Sequence, residues 1–301
     1  MAISTVRAQV NGTWHTLTYD SASGAYKATI TAPGQTSYHQ SGGYYNVQIE
    51  ATNTAGTKGS ADATTLTGLR LVVKEKVAPV ITILSPSNGA YVTNNKQPVV
   101  FNIVDESGGS GINLSSLVVK QDGTAVASSA VVTTAITNGY SVTYTPASAL
   151  SDGAHTVTVS VGDNDGNAAT AKSTAYTVDT VPPTLNITAP ADNLITATAS
   201  LTVSGKTNDA TSSPVTITVT LNGTAQGTAA VSTDGSFSKA VTLIEGSNTI
   251  VVTATDAAGK ATSVTKKVTL DTSVPKVTSA SVSPNPVDAG ATMIISVVIQ
   301  G

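Results

Sequence analysis

A chain of 301 residues with 40% hydrophobic content carries enough apolar side chain for two or three domains with cores of their own, which sets it apart from disordered chains. Charged residues make up only 11% and the formal net charge is −3, so no basic field is present to hold a phosphate backbone, and nucleic acid is not an expected partner. The absence of cysteine removes disulfide frameworks, thiolate metal sites and thiol catalysis together, leaving packing and hydrogen-bonded sheet to supply stability.

The first seventeen residues, MAISTVRAQVNGTWHTL, have neither a basic leader nor an unbroken apolar core, and they read as a strand, a hairpin turn at Asn11 to Thr13, and a second strand. Gly24 to Tyr26 opens a further strand with an aromatic. Next, YYNVQIEATNTAG at 44–56 alternates apolar and polar residues and ends in a turn with Asn53 three residues before Gly56. Internal repetition then becomes plain. HTVTVSVGDNDG at 155–166 and NTIVVTATDAAG at 248–259 have the same alternation, with Asp163 before Gly166 and Asp256 before Gly259. In each turn the Asn or Asp side chain accepts from backbone N–H, and the glycine supplies a positive φ. Upstream of the later two copies the other turns recur, as DGT at 122–124 with Gly139-Tyr140, and as NGT at 222–224 with Gly235 to Phe237.

After each copy comes a Val- or Leu-rich strand and a Pro-bearing joint: KEKVAP at 74–79, DTVPP at 179–183 and DTSVP at 271–275. Proline fixes φ and restricts its neighbour, so these joints are semi-rigid. Beyond the first two joints a leading pair of strands opens the next repeat, VITILSPSNGAYV with PVVFNIVD, then TLNITAPADN with ASLTVSGKTND. The tail VTSASVSPNPVDAGATMIISVVI has the shape of such a pair without a body. The domain boundaries that follow are 1–76, a partial or reduced domain; 77–180 and 181–272, complete domains; and 273–301, the first strands of an incomplete one.

Short strands at this spacing, Gly/Pro/Asn/Asp turns and no helical period predict an all-β chain of tandem immunoglobulin-like antiparallel β-sandwiches joined by short Pro-containing linkers. The lack of Cys and the single Trp remove the disulfide and core Trp of antibody domains. The stretch DESGGSGI at 105–112, the turn DNDGN at 163–167 and the joint TVPP resemble those of bacterial immunoglobulin-like domains. The whole chain resembles, more narrowly, immunoglobulin-like proteins encoded in prophage tail gene clusters. That resemblance implies virion or extracellular display, structural spacing and weak surface adhesion, and brings no catalytic residues.

Asp163 and Asp165 alternate as oxygen ligands of a calcium loop would, and Asp105, Glu106 and Asp179 would add ligands if the joint folds over them. The sister turns lack the second acid and no carboxylate follows where an EF-hand has its bidentate Glu, so the expectation is a plain turn, with no metal and no cofactor. His15, His39 and His155 are too scattered for a zinc site or a triad, and His155, matching Tyr45 and Asn248, reads as a strand-end structural residue. No nucleophile elbow, paired-acid motif or phosphate loop appears, so no enzyme is expected.

Of twelve aromatics, six lie in the first 45 residues. Tyr26, in the place of Phe237, and Tyr45, with the parity of Val47 and Ile49, are expected in the core. Trp14, Tyr38, His39 and Tyr44 are the candidate surface-contact residues, three of them in the insertion APGQTSYHQSGGYY. They either stack on a sugar or another protein, or cover a core left bare by missing strands.

The reading that results is a non-enzymatic, phage tail-associated structural and adhesion protein, made in the host cytoplasm without a signal peptide and carried in the virion. Its expected partners are other virion or surface proteins, bacterial surface polysaccharide, and a second copy of itself in head-to-tail association; neither nucleic acid nor membrane is among them. The alternatives are a stalk fragment of a bacterial cell-surface adhesin, displayed extracellularly, and a carbohydrate-binding accessory segment of a larger secreted hydrolase.

Overall fold

The computed structural model describes residues 2–301, which divide into two units, the first ending at Thr177 and the second beginning at Val178. The first unit begins with a five-stranded sheet in the order Ala25–Lys27, Thr13–Asp20, Ile3–Val10, Gln48–Asn53, Lys58–Ala61. The opposing layer is only the two-residue pair Tyr45–Asn46 and Arg70–Leu71. Tyr45 is buried with Val6, Ala8, Val10 and Ala63, as its parity predicts. Val47, Ile49 and Ala51 are half-buried, since so short a second layer covers little of that face. Tyr26 is half-buried too, its ring centroid 5.2 Å from that of Tyr19, whereas Phe237 is buried.

The second sandwich of this unit pairs a four-stranded sheet (Val131–Ile136, Gly139–Tyr144, Val99–Val104, Val80–Ser85) with a five-stranded one (Thr124–Ala125, Ile112–Gln121, Gly153–Asp163, Lys172–Val178, Ala90–Val92). Alternation decides which side chains meet. Val99, Phe101 and Ile103 are fully buried from one sheet, and Val157, Val159 and Val161 are buried from the other. Each contributes roughly 1.5–3 kcal/mol by leaving water. The parity that buries the valines also turns His155 and Asp163 inward at the two ends of the same strand.

In the second unit, Thr184–Ala189, Ser200–Asn208 and Ser236–Thr242 face a five-stranded sheet of Leu194–Thr196, Ala261–Leu270, Gly246–Thr255, Thr216–Leu221 and Thr224–Ala229. Val203, Ile217, Ile250 and Val252 lie at the centre of its core. The pairing of Leu194–Thr196 with Val268–Leu270 is parallel, a departure from the all-antiparallel expectation. It arises because the chain changes sheets after Ala189.

Asn11, Asp122 and Asn222, all at positive φ, close the three predicted hairpins. The last hairpin, Lys276–Ser283 with Ile294–Gln300, reproduces the pairing of the leading strands in both full sandwiches and is exposed throughout. Among the described residues, no helix is long and apolar enough to cross a membrane.

Candidate functional site

The candidate surface residues do not form one patch. Trp14 is 38% exposed, with the Arg7 guanidinium 4.3 Å from its ring centroid. Tyr44 is half-buried beneath Arg70, 5.0 Å away. Tyr38, 48% exposed, meets His39 edge-on at 5.3 Å, and these two stand at a cleft of about 470 Å³ whose other walls include Asp105, Glu106, Tyr140 and Asn164. The insertion carrying Tyr38 and His39 thus reaches the second sandwich, where the His39 ring contacts the Gly109 carbonyl through Nε2 at 2.9 Å.

Further hydrogen bonds fasten this joint. Thr36 Oγ1 donates to Asp165 Oδ2 at 2.5 Å, the Glu75 N–H donates to the same oxygen at 3.1 Å, and Asn167 Nδ2 donates to the Glu75 carbonyl at 3.2 Å. Lys74 Nζ reaches the Asp165 carbonyl at 3.1 Å. Asp165, expected as a turn residue or weak ligand, therefore directs its carboxylate to the first domain and the joint.

Asp163 serves the turn with both oxygens, Oδ2 accepting from Asn167 Nδ2 at 2.7 Å. Its Oδ1 accepts from the Gly166 and Asn167 N–H groups at 2.6 and 2.7 Å, and Gly166 has φ 98°. Asn53 Oδ1 accepts from Ala55 and Thr57 N–H at 2.9 Å each, and Asp256 Oδ1 from Lys260 N–H at 2.8 Å, with Gly56 and Gly259 at φ 83° and 87°. These are equivalent turns in all three repeats. Burial pushes the Asp163 carboxyl up, but the bonds from Asn167 and Gly166 outweigh it and hold it below the usual range.

Around Asp163 the fold gathers acids distant in sequence. Ligand oxygens of Glu75, Asp105 and Glu106 lie within 4.8 Å of one another, and the Asp163 carboxyl is near enough to act on Glu75. Burial and the neighbouring Asp163 carboxyl raise Glu75 above its ordinary pKa. Burial, then the Asp105 and Glu75 carboxylates, raises Glu106 to about 7. Two unit charges at 4.8 Å repel by about 3.5 kcal/mol at an effective dielectric constant of ~20. Ser110 Oγ donates to Glu75 Oε1 at 3.1 Å and Gly111 N–H to Asp105 Oδ2 at 2.7 Å. A Cβ on Gly109 would stand 2.7 Å from Asp105 Oδ2 and 2.8 Å from the Glu106 carboxyl carbon, so a larger residue there would have to displace the acids.

The second unit repeats the arrangement. Asp179, assigned by sequence to the same candidate set as Asp163 and Asp165, belongs instead with Asp209 and Asp256, ligand oxygens within 4.8 Å of each other. Ser212 Oγ donates to Asp179 Oδ2 as Ser110 does to Glu75, and Asp209 Oδ1 accepts from the Thr211 and Ser212 N–H groups at 2.8 Å each. Each cluster thus takes an acid from the joint, Glu75 or Asp179, and one just past the end of a strand in the smaller sheet, Asp105 or Asp209; the third is Glu106, next to Asp105, in the first cluster and Asp256 of the repeated turn in the second. Glu75, Ser110, Asp209 and Ser212 were not singled out from sequence; their signal is the matched placement of Asp105 and Asp209 after the second leading strand.

His155 is buried, with Nδ1 2.8 Å from Asp122 Oδ2 and Nε2 2.8 Å from the Ser151 carbonyl. Both ring nitrogens are engaged, so the Asp–His pair has no face for a substrate. Asn222 and Asn248 hold the equivalent places in the next sandwich, where Asn222 Nδ2 meets Asn248 Oδ1 at 3.1 Å.

Residues 86–180 match the family described as Bacterial Ig-like domain, and residues 183–272 match Glucodextranase, domain B. No curated protein gives a significant match. Among solved structures, the fibronectin(III)-like modules of Clostridium thermocellum CbhA align over 64% of this chain and 94% of theirs, at 19% identity and a TM-score of 0.42. Domains 1–5 of Sidekick-1 align over 99% of this chain and 60% of theirs, at 12% identity and TM-score 0.39. A 1.5-MDa bacterial ice-binding adhesin aligns over 90% and 88%, at 20% identity and TM-score 0.32. The fold is a tandem of immunoglobulin-like β-sandwiches, two stretches of which match these family models.

Proposed function

We propose that the chain is a non-enzymatic, tail-associated structural protein of a phage, in which immunoglobulin-like sandwiches act as a spacer and contact the host surface or other virion proteins. The observation that carries the spacer role is the joint between the first two domains, where Asp165 bonds the Thr36 hydroxyl of the first domain and the Glu75 N–H of the linker, and Asn167 bonds the Glu75 carbonyl. Such a joint transmits position in place of swinging freely. The tail association rests on the resemblance of the repeats and joints noted in the sequence.

The chemistry of the side chains favours binding over catalysis. Asp105 and Glu106 are adjacent in the chain, with ligand oxygens within 4.8 Å of each other, whereas glycoside hydrolysis needs two carboxyls facing each other across the scissile bond, about 5 Å or more apart. The cleft beside them, with Tyr38, Tyr140 and Asn164, has the mixture of ring faces and hydrogen-bonding groups that suits a sugar or a polar protein loop. Mass spectrometry and immunogold labelling of purified virions test the assignment. The expected result is the intact chain on tails; its recovery instead from the surface fraction of uninfected cells would replace this reading with that of an adhesin stalk.

A further inference from the structure

We propose that each of the two carboxylate clusters, Glu75–Asp105–Glu106 with Asp163, and Asp179–Asp209–Asp256, binds one divalent cation of calcium type. In each case the ion fastens a joint acid to the sandwich that follows it. The inference does not depend on tail association and fails or stands separately from it.

Two independent kinds of observation meet here. The first is unpartnered oxygen. Asp105 is 4% exposed and its Oδ1 has no hydrogen-bond partner, while Asp256 is 6% exposed and its Oδ2 has none. In both residues the other oxygen is occupied, by Gly111 N–H and by Lys260 N–H, leaving the bare one for the cluster. A buried carboxylate oxygen without a donor is costly and rare, and a cation is the partner that several such oxygens share. No ion pair among the described residues brings a lysine or arginine to either cluster. The second observation is recurrence: both sandwiches set a joint acid, Glu75 or Asp179, against a strand-end acid, Asp105 or Asp209, with a serine hydroxyl donating to the joint acid, while the third acid is Glu106 in one and Asp256 in the other.

The donor set selects the ion. All ligands are hard oxygens, with neither histidine nor thiolate, which disfavours zinc. Calcium lies about 2.4 Å from its ligands, so oxygens around one ion are separated by at most ~4.8 Å, and in both clusters the ligand oxygens lie within that distance of one another. Magnesium, at about 2.1 Å and strictly octahedral, demands a tighter set.

The test uses the full chain, stripped with EDTA and exchanged into chelator-free buffer, then titrated with CaCl₂ by calorimetry, with native mass spectrometry counting bound ions. Two calcium ions per chain are expected, with a thermal midpoint several degrees higher in millimolar calcium and a smaller response to magnesium. Asp105→Asn and Asp256→Asn, which keep side-chain shape, should each lower the count to one. Asp165→Asn, whose carboxylate is held by Thr36 and Glu75, should leave it at two. If the wild-type chain binds no calcium and its midpoint does not move, the proposal is wrong, whatever the variants do. A count unchanged by both cluster variants would overturn it equally.

Discussion

Replacing Asp165 by alanine should loosen the first domain without unfolding the second. Its Oδ2 accepts from Thr36 Oγ1 at 2.5 Å and from the Glu75 N–H at 3.1 Å, so one truncation removes both bonds to the joint. Hydrogen bonds to a charged acceptor contribute about 1.5–3 kcal/mol each, but Asp165 is half-buried and Thr36 keeps a weaker contact to the Val73 carbonyl at 3.3 Å. A discounted total of about 1–3 kcal/mol follows, which raises the opening equilibrium of the joint roughly 5- to 150-fold. Hydrogen exchange of the Glu75 amide reads that opening directly, and EDTA in the buffer keeps bound cations out of the comparison. Amides of Val157 and Val159, in the core strand of the second sandwich, should exchange as in the wild type, because their protection reports opening of that core. Scattering in solution should show a wider distribution of dimensions for the variant. Unchanged exchange at Glu75 would refute the reasoning, since the Asp165 carboxylate would then not be what holds the joint.

Further outcomes are expected. Gly166→Val and Gly259→Val force a β-branched residue to φ 98° and 87°, so each should cost on the order of 1–3 kcal/mol; unchanged urea midpoints would show that the turns do not need glycine. His155 is depressed by burial, but the hydrogen bond to Asp122 and the Ser151 carbonyl raise it net above the ordinary histidine value, and the bond from His155 holds Asp122 low in spite of burial. The histidine contribution is therefore complete below about pH 6.5 and is lost as pH rises through the higher folded-state pKa; the aspartate contribution is present above about pH 4 and lost as pH falls through its lowered one. Asp122→Asn copies Asn222 of the next sandwich, tolerates the same positive φ of 50°, and should let burial bring His155 below 6.5; an NMR titration still above that value would show that Asp122 is not the cause. Deleting residues 274–301 removes an exposed hairpin, and if the hairpin completes the thinly covered first domain of another copy, light scattering should show oligomers of the full chain and monomers of the deletion. Monomers of both would rule out head-to-tail association.

The features legible in the chain before folding are local ones. Alternation of period two turns Val157, Val159 and Val161 inward, and this depends only on the pleat of the strand. The hairpins at Asn11, Asp122 and Asn222, the Asn/Asp-to-Gly turns, and the buried place of Tyr45 follow from chemistry confined to a few residues. Tertiary structure decided the rest. The half-burial of Ile49 and Ala51 depends on how much second layer lies over them, which their own pattern does not encode. The parallel pairing of Leu194–Thr196 with Val268–Leu270 depends on a change of sheet across more than 70 residues of chain. The carboxylate clusters are the strongest case. Glu75, Asp105 and Asp163 each stand in an unremarkable local setting, a joint, a strand end and a turn, and become a site only because sandwich topology brings joint, strand end and repeated turn to one end of the domain. The charge of such a site is a property of three-dimensional proximity, since repulsion falls with distance through space and not along the chain.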